Sequence, residues 1–474
     1  MRGRITIAIA ALAVALIGVF EPATSGAAGQ KLHFFTVKLK GATDHSEPRI
    51  TIGRGGVRWV VTNDVDTGDE IVFRSRSGRR YVRTKTEPAG QALATIDTDI
   101  VTLPSRRIIS SELDYAGINF VVSYSDNGGK TWTESTGARA GDTDRQWLAP
   151  GPHGRVYLMF HNLASGAANH NMYVQTSTDR GASFGPPVPI TLPGSRAFLD
   201  LQCSDSGGPS SITVNQVTGQ IYAAWGSRSS VVGGCGAQPP EANVVAATEV
   251  WVATSMDGSP GSWTDHLAVD RSATGNILGM QLSPAAIDSA GNVYVSFPES
   301  PNGYPDYHGA AVRYVWASPD LSTWSKPVTI AGQGGPGHVL VHIIGGGRGK
   351  IDLVYFSGVK RGAHKPLWFA TAAQVLGATS AHPLISRARV SGIVAAMATA
   401  SELMGACDSP GGGFTCNRSA DVFGLTLTRK CKLVIAWPSQ DDKQPHANLG
   451  TFVSTQDRGP RVCSRLSGAI KPAR

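Results

Sequence analysis

Several stretches of this chain carry residue types that could do chemistry. Asp205-Ser206-Gly207-Gly208-Pro209 has the setting of an activated serine, in which a Gly-rich turn presents the hydroxyl and its amides receive an oxyanion. Ser204 stands where that setting needs glycine, and no upstream phrase supplies a histidine base, so the stretch reads as a turn leading into a strand at Ser211–Val214. Gly181-Ala182-Ser183-Phe184-Gly185 matches Gly-x-Ser-x-Gly, but a nucleophile elbow needs a strand-to-helix turn in a parallel sheet, and this match lies inside a turn that recurs along the chain. Gly345-Gly346-Gly347-Arg348-Gly349-Lys350 resembles a phosphate-cradling loop, except that Ile351 replaces the Ser or Thr and Ile344 the leading Gly; it reads as a hairpin turn. His338 and His342 alternate on one face of a strand-like run and could face a channel as titratable groups, although a strand histidine satisfied within the core is the simpler reading.

The pattern that recurs is Ser-x-Asp-x-Gly-x-(Ser/Thr)-aromatic. Its cleanest copy is Ser177, Asp179, Gly181, Ser183 and Phe184; a second, Ser125, Asn127, Gly129, Thr131 and Trp132, has Asn in the Asp position. Ser255, Asp257, Ser262 and Trp263 carry one extra residue, Ser318, Asp320, Thr323 and Trp324 lack one, and Thr455, Asp457 and Gly459 keep the front half. The phrase explains itself without catalysis. Asp or Asn accepts backbone hydrogen bonds in a tight turn, Gly takes positive φ, and the aromatic plugs the gap between strands.

The elements around the phrase are short alternating apolar runs, in a chain of low charge with 56 Gly and 28 Pro, which argues against helices and for an all-β fold. The runs come in pairs, such as Val156–Phe160 with Met172–Thr176 and Val293–Phe297 with Val312–Ala317, and each second run leads into the phrase or a degraded copy. A further strand-like segment precedes many pairs, as in Pro284–Gly291 and Ser211–Gly219, and a fourth follows the phrase, as at Pro187–Thr191 and Lys326–Ile330. Four-stranded antiparallel sheets repeated in this way make a single β-propeller. Counting Ile118–Ser123 as part of a unit gives seven blades between Lys31 and Ser467; six remain if Thr95–Tyr115 is not part of a full blade.

Arg2 and Arg4, the apolar run Ile5–Phe20 and the small residues Ser25-Gly26-Ala27 predict a secretory signal over residues 1–27, a propeller over 31–468 and a short basic tail over 469–474. The apolar run is too short to span a bilayer and no second run exists, so a secreted product with no membrane span, acting as a monomer, is expected. Six cysteines, Cys203, Cys235, Cys407, Cys416, Cys431 and Cys463, are an even set in an exported chain and predict disulfides. Pairing each with its neighbour is preferred among the fifteen connectivities, because each bridge would close a loop within one unit. No Cys-x-x-Cys and no histidine at ligand spacing accompanies them, so neither a metal nor another cofactor is expected. The formal net charge of +8 suits acidic polysaccharides or anionic envelope polymers. No basic stripe with interleaved aromatics points to nucleic acid.

With its phrase placed after paired strands, the chain resembles the Asp-box, or bacterial neuraminidase repeat, propellers, whose best-known members are sialidases; the likeness covers nearly the whole mature chain. The resemblance implies architecture first, since such propellers include proteins that bind glycans or proteins without cleaving them. Sialidases open the first blade with Arg-Ile-Pro, whose Arg is one of three gripping the substrate carboxylate, and follow it with an acid/base Asp. Here Arg49-Ile50-Thr51 and Asp64 occupy those places, with Asp66 where an Arg would follow. The Pro is missing, no phrase marks the Tyr nucleophile and its Glu, and the other two arginines cannot be placed; Glu299 and Tyr304, in a loop, could serve as the pair. The expectation is a protein that binds or hydrolyses extracellular glycans at the channel mouth, a glycosidase if an enzyme, with exo-sialidase chemistry disfavoured. Loops at Gly226–Thr248 and Glu299–Ala311 would flank that mouth. The alternative is a non-catalytic scaffold for a protein or envelope partner.

Overall fold

The computed structural model describes residues 31–42, 47–63, 70–88, 97–114, 119–138, 143–162, 170–203, 209–232, 247–279, 284–303, 306–404, 423–439 and 450–463. The chain enters on β1 (His33–Lys38). Blade 1 is β2 (Arg49–Ile52), β3 (Arg58–Asn63), β4 (Glu70–Ser75) and β5 (Val82–Arg83); blade 2 is β6 (Thr98–Thr102), β7 (Ile108–Asp114), β8 (Asn119–Ser125) and β9 (Thr133–Glu134). Blade 3 is β10 (Thr143–Pro150), β11 (Val156–Asn162), β12 (Met172–Ser177) and β13 (Val188–Pro189); helix α1 (Arg196–Gln202) then leads to blade 4, β14 (Pro209–Val214), β15 (Ile221–Ser227), β16 (Glu249–Ser255) and β17 (Thr264–Asp270). Blade 5 is β18 (Ala285–Ile287), β19 (Val293–Glu299), β20 (Ala311–Ala317) and β21 (Val328–Ala331). Blade 6 is β22 (His338–Gly345), β23 (Lys350–Arg361), β24 (His364–Leu376) and β25 (Leu384–Arg389), with β26 (Ala396–Met397) also on β24 and α2 (Ala400–Leu403) after it. Blade 7 takes β27 (Gly424–Leu427), β28 (Leu433–Ser439) and β29 (Gly450–Arg458), and its fourth strand is β1.

The seven sheets form a seven-bladed propeller of antiparallel, mostly four-stranded blades. The undecided stretch Thr95–Tyr115 contains the first two strands of blade 2, and Ile118–Ser123 corresponds to its third, which settles the count at seven. Second strands of the blades are sandwiched between neighbouring sheets on both faces, so they read as near-continuous apolar runs: every residue of β15, β19 and β28 is buried. Outer strands face water and alternate, as in β25. The core is correspondingly a series of layers between blades. Trp147, Tyr157 and Met159 of blade 3 pack against Trp225 and Trp251 of blade 4, and the layer closing the ring includes Phe34, Phe356, Trp368, Trp437 and Phe452.

The recurring phrase staples the turn between the third and fourth strands. In its cleanest copy Ser177 Oγ accepts the Gly181 amide at 2.8 Å, while Asp179 accepts the Ser183 amide at 2.9 Å and the Ser183 hydroxyl at 2.6 Å. Burial by itself would raise the Asp179 carboxyl, but these hydrogen bonds outweigh it and hold the group at about 2. Phe184 is buried beneath the turn. Ser125 and Asn127 repeat the arrangement with the amides of Gly129 and Thr131, and Ser255 and Asp257 do so with those of Gly258 and Ser259. The half copy behaves differently: Asp457 pairs with His33 Nδ1 at 2.6 Å across the ring closure, and Thr455 accepts from Arg58.

Cys431 and Cys463 are joined, with Cα atoms 5.3 Å apart. This ties the turn before β28 to the segment after β29, where Val462 accepts the Gly347 amide from blade 6 at 2.7 Å. Cys203 is also disulfide-bonded; Cys235, Cys407 and Cys416 lie outside the described residues, as do the signal segment and the basic tail. Closing a loop of 32 residues restricts the unfolded chain. Replacing both Cys431 and Cys463 by serine is expected to cost about 3 kcal/mol, read as a lower urea midpoint with a slope no smaller than that of wild type, since the unfolded chain is less compact without the bridge.

One expectation is revised in detail. His338 and His342 do not alternate along a regular strand: Leu340 has φ 53° and the register shifts between Val339 and His342. The bulge sends them to different neighbours, His338 to Ser357 Oγ at 2.6 Å and His342 edge-on to Phe423. Gly181–Gly185 and Gly345–Lys350 are turns between antiparallel strands, which removes the elbow and phosphate-loop readings on geometric grounds.

Candidate functional site

Antiparallel order puts all turns between first and second strands, and all stapled turns, at one end of the propeller. The starts of the inner strands and the ends of the second strands lie at the other end, and charged side chains are buried there. At the start of β2, Arg49 lies with its guanidinium 4.2 Å from the ring centre of Trp147 on β10, and its Nε is 4.0 Å from Asp99 on β6. Three consecutive inner strands thus bring a cation, an indole and a carboxylate together. Asp99 also accepts the amides of Ile100 and Leu148, each at 2.8 Å. Burial raises its carboxyl above the usual range, and Arg49 and the two amides offset part of that rise.

Behind this pair sit two further carboxyls, Glu70 at the start of β4 and Glu112 near the end of β7, with exposures of 0% and 1%. Ser110 donates to Glu70 Oε1, and Glu70 Oε2 has no hydrogen-bond partner among the described residues. Burial, followed by the repulsion of Glu112, pushes Glu70 well above the ordinary glutamate range despite the Ser110 hydroxyl. A carboxyl pushed towards its protonated form can donate a proton, and the same group buried without function would be a costly substitute for an apolar residue. Gln146 donates to the Asp97 carbonyl at 2.8 Å, and His161 and His170 meet edge-to-face at 5.6 Å at the same end of blade 3.

Two more arginine–carboxylate groups sit at this end on other blades. Arg196 of α1 contacts Glu249 at 2.7 Å and Asp200 at 3.3 Å. Burial, then the neighbouring Asp200, lifts Glu249 to about 7. Glu299 ends β19 and is 2.7 Å from Arg271 and 2.6 Å from Arg313. Burial would raise the Glu299 carboxyl, but Asn276 and the two arginines hold it below its ordinary value. Each of these arginines is held by a carboxylate of the protein itself. Of the four candidates read from the sequence, Arg49 and Glu299 are thus on different blades, and Asp64 and Tyr304 lie outside the described residues.

Glu70, Asp99, Glu112 and Trp147 were not singled out by sequence reasoning. The usable signal was charge inside strand-like runs, as in Asp97-Thr98-Asp99 and Ser110-Ser111-Glu112, where an alternating pattern calls for apolar residues. Among the described residues no group of three or more His, Cys, Asp or Glu is placed to hold a metal. Among them, too, no helix is long and apolar enough to cross a membrane.

No protein-family model matches the chain, and no curated protein matches it. Solved structures do. A family-25 polysaccharide lyase, an ulvan lyase bound to a GlcA(1-4)Rha3S unit, is similar with a TM-score of 0.54 and 10% identity, over 88% of this chain and 95% of that one. The polysaccharide lyase Uly1 gives 0.50 and 9% over 93% and 94%, and the α-L-arabinanase of Penicillium chrysogenum complexed with arabinobiose gives 0.46 and 10% over 90% and 97%. At this level of identity, what the chain shares with the two lyases is the fold.

Proposed function

We propose that this protein binds and cleaves glycans at the mouth of its central channel, on the rim formed by blades 1 to 3. The observation that carries the reading is the buried cluster of Arg49, Asp99, Glu70 and Glu112, drawn from separate strands to one end of the channel. Arg49, fixed on Trp147, would anchor an anionic or hydroxyl group of the sugar; Glu70, whose carboxyl burial and Glu112 push towards the protonated form, would donate its proton to the departing glycosidic oxygen. Two propellers of this architecture being polysaccharide lyases supports a polysaccharide substrate. Asp64, carried by the likeness to Asp-box propellers, is a second acid/base candidate. The leader over residues 1–27 would export the protein to such substrates.

The test is turnover on aryl glycosides and soluble polysaccharides, followed both by new reducing ends and by ultraviolet absorbance of unsaturated uronates. Glu70→Gln keeps the shape and an acceptor for Ser110 but cannot give up a proton. It should lower turnover by about 100-fold or more with little change in KM, and Asp64→Ala measures the second candidate in parallel. A Glu70→Gln protein that melts like wild type and turns over at the wild-type rate would remove Glu70 from the mechanism.

A further inference from the structure

The opposite end of the propeller carries a strong and one-sided charge. A cleft of about 770 Å³ between blades 1 and 2 is lined by Arg74, Arg76, Arg80, Arg83, Lys85 and Lys130, and among the described residues no carboxylate lines it. Two smaller cavities adjoin it. One of about 360 Å³ adds Arg54 and Arg106, shares Arg74 and Arg76, and also has Asp126 in its lining; one of about 230 Å³ continues towards blade 7 through Arg429, Lys430 and Lys432 and again includes Arg76. The nearby carboxylates are already engaged: Asp126 pairs with Arg107 at 2.6 Å, and Glu87 pairs with Arg83.

The charge has a structural origin. Ser75-Arg76-Ser77-Gly78 occupies the place in blade 1 that the recurring phrase occupies elsewhere, and it staples its turn in the same manner, the Gly78 amide donating to Ser75 Oγ at 2.8 Å and the Arg79 amide to Ser77 Oγ at 3.1 Å. Ser77 replaces the aspartate. A hydroxyl thus does the hydrogen bonding that a carboxylate does in blades 3, 4 and 5, and the negative charge is gone. The positions that the staple does not use are Arg76, Arg79 and Arg80, all exposed, with the Arg79 guanidinium 4.6 Å from the ring centre of Phe35. The floor is rigid: Tyr81 and Trp59 are buried beneath the turn, Arg74 lies over Trp59, and Thr86 donates to the Gly129 carbonyl across to blade 2 at 2.8 Å.

We infer that this face is a binding site for an acidic polysaccharide, a chain of sulfated or uronate sugars, separate from the channel mouth. Three connected cavities sharing Arg76 suit an extended polymer rather than one small anion, and arginines bind sulfate and carboxylate oxygens in pairs. Among the described residues the main cleft has no aromatic lining, and the aromatic of the adjoining cavities, Trp59, is 6% exposed with Arg74 over its ring, which leaves a base little to stack on and favours an acidic glycan over nucleic acid. The site would hold polymer on one face while the other end works on it, and it stands whether or not the channel mouth is catalytic.

The experiment uses the full mature chain and an end-labelled, size-defined heparin decasaccharide, with neutral dextran and a single-stranded dT oligonucleotide of matched charge as competitors. Wild type should bind the decasaccharide with an affinity that falls steeply with salt, and Arg76→Glu with Arg80→Glu should weaken it by about tenfold or more. Lys360→Glu with Arg361→Glu, which makes the same change in net charge on the exposed β23–β24 hairpin, should stay within about twofold of wild type. Matching melting curves establish that both variants are folded. The inference is overturned if wild type does not bind, if the hairpin variant loses as much as the cleft variant, or if the oligonucleotide competes as well as the glycan.

Discussion

A chain lacking residues 31–38 should fail to close its ring. In the intact protein β1 pairs antiparallel with β29, from His33 opposite Arg458 to Lys38 opposite Phe452, so that the last blade is completed by the first strand. Leu32 and Phe34 are both 7% exposed, Thr36 bonds Ser454 at 2.8 Å, and His33 reaches Asp457. Burial of two large apolar side chains contributes about 3 to 6 kcal/mol, and the six lost strand residues add backbone hydrogen bonds to that. The sum is comparable with the whole stability of an ordinary domain. The deletion also exposes β29, nine residues long and buried through most of its length, as an unprotected edge ready to pair with another chain. The expected result on size-exclusion chromatography is association or precipitation, with a large fall in melting temperature of any soluble fraction. A synthetic peptide of residues 31–40 should restore monomer by supplying the missing strand. A deleted chain that stays monomeric and melts within about 3 °C of wild type would show that the closure contributes little.

That closure also marks where sequence reading stops. The stapled turns and paired apolar runs were legible because both are local: Ser177, Asp179 and Gly181 hold one turn within four residues of one another. β1 carries no phrase, and Thr36 meets Ser454 across 418 positions, so nothing near it in sequence says that it belongs to the last blade. The channel mouth is hidden for the same reason. Ser110 and Glu70 are 40 residues apart and meet only because blades 1 and 2 stand side by side. Ser110, Ser111 and Glu112 also break the apolar alternation of β7, which is why this stretch left the blade count between six and seven. The irregularity that obscured blade 2 and the polar cluster at the mouth are one feature seen from two sides. The cationic cleft is not legible in the sequence because its turn has Ser77 where the phrase has Asp, and because its cations come from strands and turns of three blades.

Replacing Asp352 by asparagine should stabilise the protein at alkaline pH and leave it nearly unchanged in acid. Asp352 on β23 is 1% exposed and stands opposite Gln374 on β24, whose amide donates to Oδ1 at 2.9 Å. Among the described residues, Asp352 Oδ2 and Gln374 Oε1 both lack a hydrogen-bond partner. Burial lifts the carboxyl from 3.8 to about 7, with Gln374 opposing the shift. A raised carboxyl favours the protonated folded state, so its contribution is fully present below pH 3.8, declines as the unfolded chain ionises, and is lost once pH passes about 7. The interval corresponds to about 4 kcal/mol. Asparagine is neutral throughout, keeps an acceptor for the Gln374 amide and adds a donor on the side of Gln374 Oε1. The expected gain is therefore up to about 4 kcal/mol at pH 8 and below about 1 kcal/mol at pH 4, measured as paired urea unfolding curves. Glu249 and Asp265, each lifted to about 7 chiefly by burial, give the wild type a background slope of the same sign. Because that background is common to both proteins, the difference between them isolates Asp352. A variant less stable than wild type at pH 8, or one with the same difference at both pH values, would mean that this carboxyl is held ionised by groups other than Gln374.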